Sequence, residues 1–149
     1  MIEEIINKNL KRIEHDLEEI EGIQKIDFID LFPISPEHRE SLDHEALKIA
    51  KIIDKTDRGN YYLLNTPLKT KYGDLRLFKV RFYDETRTNW EAAADFLVRD
   101  RKKLEEKVLT DSRFTYITRP KWDAIEFRTN NTLIYFLKPL ISELYSDVM

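Results

Sequence analysis

Two groups of acidic residues are candidates for acid–base chemistry or anion binding. Asp84 and Glu85 end the predicted strand 73–84, and the polar connection after them contains Arg87. A polar connection that leads into a helix can bind a small anion. Glu126 lies in a later predicted strand, two residues before an arginine, and this short pattern also occurs in metal-dependent nucleases. We therefore take Asp84, Glu85, Arg87 and Glu126 as a possible anion-binding or acid–base site.

Ordinary structural roles also explain the same residues, and for Glu126 we favour the structural explanation. Thr88 or Asn89 can cap the helix predicted over 89–109. Glu126 can pair with a cationic residue on a neighbouring strand. Both interpretations stay open at the level of the sequence.

Basic and aromatic residues form a larger set that favours a binding surface. They are interleaved along the predicted strand 73–84 and in the later strands. If they share one open sheet face, they can bind a protein partner, since arginine, tyrosine and tryptophan are common at interfaces. The same face could bind phosphates with its cations and stack its rings on bases. The residues expected on this face are Lys79, Arg81, Tyr83, Arg119, Lys121 and Trp122.

Three functions follow from these groups, and the first is our leading hypothesis. It is a non-catalytic module that binds a protein partner or a second copy of itself as a homodimer. The second is binding of single-stranded RNA or DNA, although a pI of about 5.7 argues against avid non-specific binding. The third is an enzyme or small-anion binder with its site near the 84–89 connection.

Metal and cofactor sites are not expected from the residue types and their spacing. The sequence has no cysteine, so thiolate ligands and a cysteine nucleophile are excluded. His38 and His44 are six residues apart, which does not place them on one helical face, and His15 stands among acidic residues of a solvated helix. No HExxH motif is present. We expect neither a metal nor a cofactor.

Length and composition indicate one folded domain covering residues 1–149. The chain is 42% hydrophobic and 36% charged, which is typical of a globular, highly charged protein. No apolar run approaches the roughly 18 residues of a membrane span. The acidic residues Glu3 and Glu4 are unlike the start of a signal or transit peptide. A cytoplasmic location is expected.

Apolar periodicity predicts four helices. The first spans 2–21 with an apolar stripe that packs on the protein's own core, and a paired coiled coil is the alternative. The second begins at a Ser35 cap and ends near Asp54. The third spans 89–109, and a short helix follows Pro139.

Five segments are predicted as strands. The most informative detail of the second is the alternation of its apolar residues. The five segments are 61–64, 73–84, 114–118, 122–128 and 132–137, whereas 24–34 is ambiguous between helix and strand. In 73–84 the apolar alternation shifts at Leu77-Phe78, which predicts either two covered faces or, in our preferred interpretation, a β-bulge.

These elements predict an α+β fold without internal repeats. The fold has a mainly antiparallel sheet of about five strands. Its helices are two N-terminal helices, a central helix after the first hairpin and a short C-terminal helix. The helices are expected on one face of the sheet, which leaves the other open.

Overall fold

The computed structural model describes residues 1–87 and 89–149 and contains one eight-stranded mixed sheet. The helices are α1 (Ile2–Leu17), α2 (Pro36–Ala46), α3 (Arg101–Thr110) and α4 (Ile141–Leu144). The strands are β1 (Ile23–Leu31), β2 (Ala50–Thr56), β3 (Gly59–Thr70), β4 (Gly73–Arg81), β5 (Ala92–Val98), β6 (Phe114–Thr118), β7 (Asp123–Arg128) and β8 (Leu133–Lys138). Their order across the sheet is β2-β3-β4-β1-β5-β8-β7-β6.

The sheet consists of two halves with the same topology. Each half is a strand, a helix and three further strands: β1-α2-β2-β3-β4 and then β5-α3-β6-β7-β8. In each half the first strand pairs in parallel with the last, while the other pairs are antiparallel. The halves join through the antiparallel pair β1–β5. The expectation of no internal repeat is therefore wrong at the level of topology.

Alternation along the strands separates two faces of this sheet. One face packs under α1, α2 and α3 in a continuous apolar core. We call it the helix face. The opposite face, which we call the polar face, receives the side chains that lie between the core residues, such as Asp30 between Ile29 and Leu31. The predicted placement of the helices on one face holds for α1, α2 and α3, but α4 packs on the polar face, so that face is not left open.

Helix α1 owes its position to its apolar stripe. Ile6, Leu10, Ile13 and Leu17 are all buried in the core of the helix face, as predicted. Each fully buried side chain of this size contributes about 1.5–3 kcal/mol. The helix ends at Leu17 rather than at residue 21, and Gly22, with φ +79, supplies the left-handed turn into β1.

The predicted second helix is correct only in its first half. Ser35 caps α2 by accepting a hydrogen bond from the His38 backbone N–H at 3.0 Å, and Pro36 takes the first helical position. The helix ends at Ala46, and Ala50–Thr56 forms β2 instead. The β-branched residues Ile52 and Ile53 suit a strand, and pairing with β3 decides the outcome.

The predicted helix 89–109 is wrong over its first half. Ala92–Val98 forms β5, between β1 and β8 at the centre of the sheet, and only Arg101–Thr110 is helical. The alanines favour a helix locally. They also fit a strand with both faces buried, so tertiary pairing overrides their propensity. The predicted cap at Thr88 lies outside the described residues.

The predicted bulge at Leu77-Phe78 is also wrong. Leu77 and Phe78 pair without interruption with both β3 and β1, and both faces of β4 are covered there. The irregularity lies in β3, between Leu63 and Leu68, where Pro67 cannot donate to the ladder.

The predicted fold class is wrong in its number of strands and in its arrangement of helices. An eight-stranded mixed sheet replaces the expected five strands, because β1, β2 and β5 were not recognised as strands. Within the described residues, none of the helices combines the length and apolarity that crossing a membrane demands.

Candidate functional site

One row of polar side chains crosses the polar face of the sheet. In its first half Tyr61 on β3 is paired with Lys79 on β4, and Lys79 is paired with Asp30 on β1. On the other side of the midline Asp95 on β5 is paired with Tyr135 on β8. Tyr135 is in turn paired with a glutamate on β7. We call this set the polar row: Tyr61, Lys79, Asp30, Asp95, Tyr135 and Glu126.

The two halves of the fold contribute equivalent positions to the polar row. Asp30 and Asp95 lie on the first strands of the two halves, on either side of the β1–β5 junction. Their neighbours Lys79 and Tyr135 lie on the last strands. The row is therefore a product of the repeated topology.

Asp30 and Arg81 form an ion pair near the centre of the polar row. Arg81 Nη1 donates to Asp30 Oδ2 at 3.2 Å, and both side chains are 13% exposed. Burial raises the pKa of Asp30, while the charges of Lys79 and Arg81 oppose that shift. Asp30 Oδ1 and Arg81 Nε are buried without a hydrogen-bond partner. One acceptor and one donor are thus left for a small polar group.

Asp95 and Lys79 have pKa values shifted in the direction of their neutral forms. Burial is the main cause of the raised pKa of Asp95, and the negative charges of Asp27 and Asp30 add to it. Burial likewise lowers the pKa of Lys79, against the opposing charge of Asp30. The Lys79 ammonium nitrogen lies 4.8 Å from the centre of the Tyr61 ring. Groups with such shifts are frequent at sites of proton transfer.

Glu126 ends the polar row in a charged hydrogen-bond network. The Tyr135 hydroxyl donates to Glu126 Oε2 at 2.8 Å, and Arg128 Nε donates to Glu126 Oε1 at 3.0 Å. Burial and the Glu126 charge raise the pKa of Tyr135, whereas a hydrogen bond from Arg87 lowers it. The phenol is therefore neutral and acts as a hydrogen-bond donor to the Glu126 carboxylate, with the Arg87 guanidinium beside it.

A cavity of about 1070 Å³ lies beside Glu126 on the polar face. The Arg128 guanidinium carbon lies 4.8 Å from the centre of the Trp90 ring. Trp90 Nε1 is buried and has no hydrogen-bond partner. The cavity thus combines a carboxylate, an aromatic ring and several donors. Its lining residues are Asn89, Trp90, Ser112, Arg113, Thr115, Glu126, Arg128, Thr129 and Asn130.

The connection from β4 to β5 brings Arg87 to the polar row. Asp84 accepts hydrogen bonds from the Thr86 backbone N–H at 2.9 Å and from its hydroxyl at 2.6 Å, and these bonds lower the pKa of Asp84. The short 3₁₀ helix Glu85–Arg87 follows. The positive charge of Arg87 acts on both Asp30 and Tyr135.

The four residues predicted as an anion or acid–base site are only partly brought together. Arg87 and Glu126 both lie against the Tyr135 hydroxyl. Asp84 bonds Thr86 within its own turn, and Glu85 is exposed. The prediction itself is not tested by this arrangement and remains a prediction.

The residues predicted to share one exposed binding face do not do so. Lys79 is 5% exposed and lies in the polar row, and Arg81 is paired with Asp30. Tyr83 follows the end of β4 and is half-buried. Arg119 and Trp122 contact each other at the β6–β7 turn, where Lys121 is exposed. Four strands separate β4 from β6, so the two groups are roughly 24 Å apart.

The described part of the chain contains no group of three or more His, Cys, Asp or Glu side chains able to hold a metal ion. His38 has a structural role, because its Nδ1 accepts a hydrogen bond from the Ile34 backbone N–H at 3.0 Å. His15 and His44 are exposed.

Sequence reasoning missed Asp30, Asp95, Tyr135 and Trp90 as functional candidates. Asp30 and Asp95 are single acidic residues inside apolar strand segments, and this pattern was the available signal. It was hidden for Asp95 because β5 was predicted as part of a helix. For Tyr135 and Trp90 the sequence carries no comparable signal.

Three solved structures resemble this fold to different degrees. The structural genomics protein EC4020 is 15% identical with a TM-score of 0.71, over 97% of this chain and 91% of that chain. A glyoxalase/bleomycin resistance protein/dioxygenase superfamily member from Vibrio splendidus 12B01 is 11% identical with a TM-score of 0.49, over 74% and 95%. Streptomyces coelicolor methylmalonyl-CoA epimerase is 7% identical with a TM-score of 0.45, over 78% and 97%.

No protein-family model matches the sequence. No curated protein matches it either. The likeness to EC4020 covers nearly the whole of both chains and shows a shared fold.

The leading hypothesis of a non-catalytic interaction module is wrong. The basic and aromatic residues that carried it are divided between the buried polar row and a distant turn. Pairing with a protein partner or a second copy, and binding of nucleic acid, stay predictions.

Proposed function

We propose that this protein is an enzyme that binds a small organic acid on the polar face and moves a proton on it. The observation that carries the proposal is the convergence of the polar row with the cavity at Glu126. Titratable groups from β4 and β1 and, across the β1–β5 junction, from β5, β8 and β7 lie on this one face, and the second set ends in that cavity. Buried charges are costly, so a fold that retains several of them on one face favours a functional role.

The donors around the cavity favour a carboxylate ligand. Arg128 uses two of its nitrogens for Glu126, and a guanidinium has five N–H donors, so others are left for a ligand. Trp90 Nε1 adds a buried donor without a partner. A planar carboxylate can accept from both, and charge assistance strengthens such bonds.

Glu126 is the group proposed to accept the proton. It is bonded by both Tyr135 and Arg128, which fix its orientation towards the cavity. Tyr135 is the strand neighbour of Asp95, whose pKa burial raises well above its ordinary value. A positioned acid or base of this kind contributes roughly 10²–10⁴-fold to a rate. A cytoplasmic location is part of the proposal, because a chain without cysteine suits a reducing compartment.

Binding is tested with Trp90 as the reporter. A Trp122→Phe background leaves Trp90 as the single tryptophan, since the chain has two. We expect a saturable change in Trp90 fluorescence with at least one of acetate, pyruvate and benzoate. Arg128→Met should weaken that binding about tenfold, the value of one charge-assisted hydrogen bond. Arg76→Met removes an exposed arginine of β4 and should leave the affinity unchanged. Absence of a saturable change with all three acids would contradict the proposal.

Proton transfer is tested on pyruvate, whose methyl hydrogens are acidic. We expect the protein to accelerate their exchange for deuterium in heavy water, followed by NMR. Glu126→Gln should reduce this acceleration at least 100-fold, because glutamine cannot accept the proton. Binding of pyruvate by Glu126→Gln should persist, since Arg128 is retained. Equal exchange in the two proteins would exclude Glu126 as the base.

A further inference from the structure

The C-terminal segment 141–149 lies on the polar face of the first half of the sheet and belongs to neither repeat. Its helix, α4, has four residues and packs against β1. Ile141, Tyr145 and Met149 join an apolar cluster that contains Leu137 of β8 and five strand residues of the first half. Those strand residues are Phe28, Ile53, Tyr61, Leu63 and Leu77.

Tyr145 makes the most specific contacts of this segment. Its ring lies 5.0 Å from that of Tyr61 at an interplanar angle of 43°, and Tyr61 is itself stacked on Phe28 at 5.6 Å. The Tyr145 hydroxyl donates to Asp54 Oδ2 at 2.6 Å. Burial and this hydrogen bond raise the pKa of Tyr145, so its phenol is neutral. We call the space that the Tyr145 side chain fills the groove. It offers a phenol the aromatic rings of Tyr61 and Phe28 and the Asp54 carboxylate as a hydrogen-bond acceptor.

The segment is a single layer with solvent on its outer side. A second hydrogen bond to the strands comes from the Ser142 backbone N–H, which donates to the buried Asp27 at 3.1 Å. Leu144 is 47% exposed and Val148 is 43% exposed. For the segment to leave the groove, the hydrogen bonds of Tyr145 and Ser142 and the apolar contacts of the segment with the strands must break.

The repeated topology shows what this segment replaces. Tyr61 on β3 occupies the position in the first half that Glu126 on β7 occupies in the second half. Beside Glu126 there is an open cavity, whereas beside Tyr61 the corresponding space holds the Tyr145 ring. The segment thus fills the space that corresponds to the cavity.

We propose that this groove is a second small-molecule site, which binds phenolic compounds, and that residues 141–149 are its intramolecular competitor. A phenol in the groove would stack on Tyr61, donate to Asp54 and displace Tyr145. The proposal does not depend on the organic-acid site at Glu126.

The test uses 4-methylphenol as the probe, with toluene as the analogue that lacks the hydroxyl. Calorimetry on the full chain should show 4-methylphenol binding to Tyr145→Ala at least tenfold more tightly than to the unchanged protein, because the competitor is removed. Asp54→Asn in the Tyr145→Ala background should weaken binding at least fivefold, and toluene should bind more weakly than the phenol. Leu144→Ala is the matched control in the same segment, and its affinity should equal that of the unchanged protein.

A second measurement separates a natural site from a cavity made by the substitution. In the unchanged protein, saturating 4-methylphenol should accelerate hydrogen exchange of the Ser142 backbone amide, since α4 is displaced from Asp27. This measurement also stands if Tyr145→Ala fails to fold. Tight binding to Tyr145→Ala with unchanged Ser142 exchange in the natural chain would overturn the proposal. Equal affinity for toluene and the phenol would overturn it as well.

Discussion

Asp95 lies fully buried at the centre of the polar row, and its protonation should set part of the pH dependence of stability. Its folded-state pKa is raised above the ordinary 3.8, mainly by burial. Above pH 3.8 the unfolded chain ionises this carboxyl while the folded protein keeps it protonated, so the fold loses stability as the pH rises, and this cost levels off above the folded-state pKa. Asp95→Asn removes the cost. We expect it to raise the free energy of unfolding at pH 7 by about 1 kcal/mol, a gain that shrinks towards pH 4.

Urea unfolding between pH 2 and pH 8 measures this difference, and Asp111→Asn is a control of opposite sign. Hydrogen bonds from Arg113 lower the pKa of Asp111 to about 2. The ionised form of Asp111 therefore stabilises the fold above its ordinary pKa, and this contribution is lost as the pH falls towards about 2. Asp111→Asn should destabilise at neutral pH, with the difference closing in acid. A loss of stability in Asp95→Asn that is the same at every pH would contradict the role assigned to Asp95.

At the scale of elements, the β2–β3 hairpin depends on Gly59. Gly59 has φ +141, and a Cβ at this position would lie 2.3 Å from the Val80 carbonyl oxygen and 2.7 Å from Arg81 Cα. Both atoms belong to the β4 backbone, which carries Lys79 and Arg81. Gly59→Ala should therefore destabilise the protein by about 2–4 kcal/mol, from backbone strain and displacement of β4.

Gly73 provides the matched control for this effect. It also has a positive φ, +93, but a Cβ at this position would have Lys25 Cβ as its nearest neighbour, at 4.0 Å. Gly73→Ala should cost only the backbone strain of about 1–2 kcal/mol. Denaturant unfolding compares the two variants. Equal losses of unfolding free energy would show that the close approach of residue 59 to the β4 backbone is unimportant.

Elements with strong local signals could be predicted from the sequence, whereas central strands could not. The stripe of α1, the Ser35-Pro36 start of α2 and the β7–β8 hairpin all follow from spacing and capping. Residues 92–98 carry an alanine-rich pattern that suits a helix, and their neighbours β1 and β8 make them a strand. Since these partners are distant in the chain, no local pattern contains that information.

At the scale of the whole molecule, the candidate site depends on the order of the strands. Glu126 and Arg87 could be singled out from the sequence because polar residues follow or interrupt apolar strands. Their meeting with Asp95 and Tyr135 could not, because it requires β5, β8 and β7 to be adjacent. The same repeated topology places Lys79 and Asp30 on the other side of the midline. The fold thus assembles one site from residues that are far apart in the chain.

An NMR titration of the full chain with benzoate and pyruvate tests the central claim most directly, namely that the polar face binds a small organic acid. We predict shift changes at the Trp90 indole N–H and at the backbone amides of Glu126, Arg128 and Tyr135. The amides of α1 and α2 on the helix face should stay unchanged. Saturable changes confined to the helix face, or none with either acid, would contradict the claim.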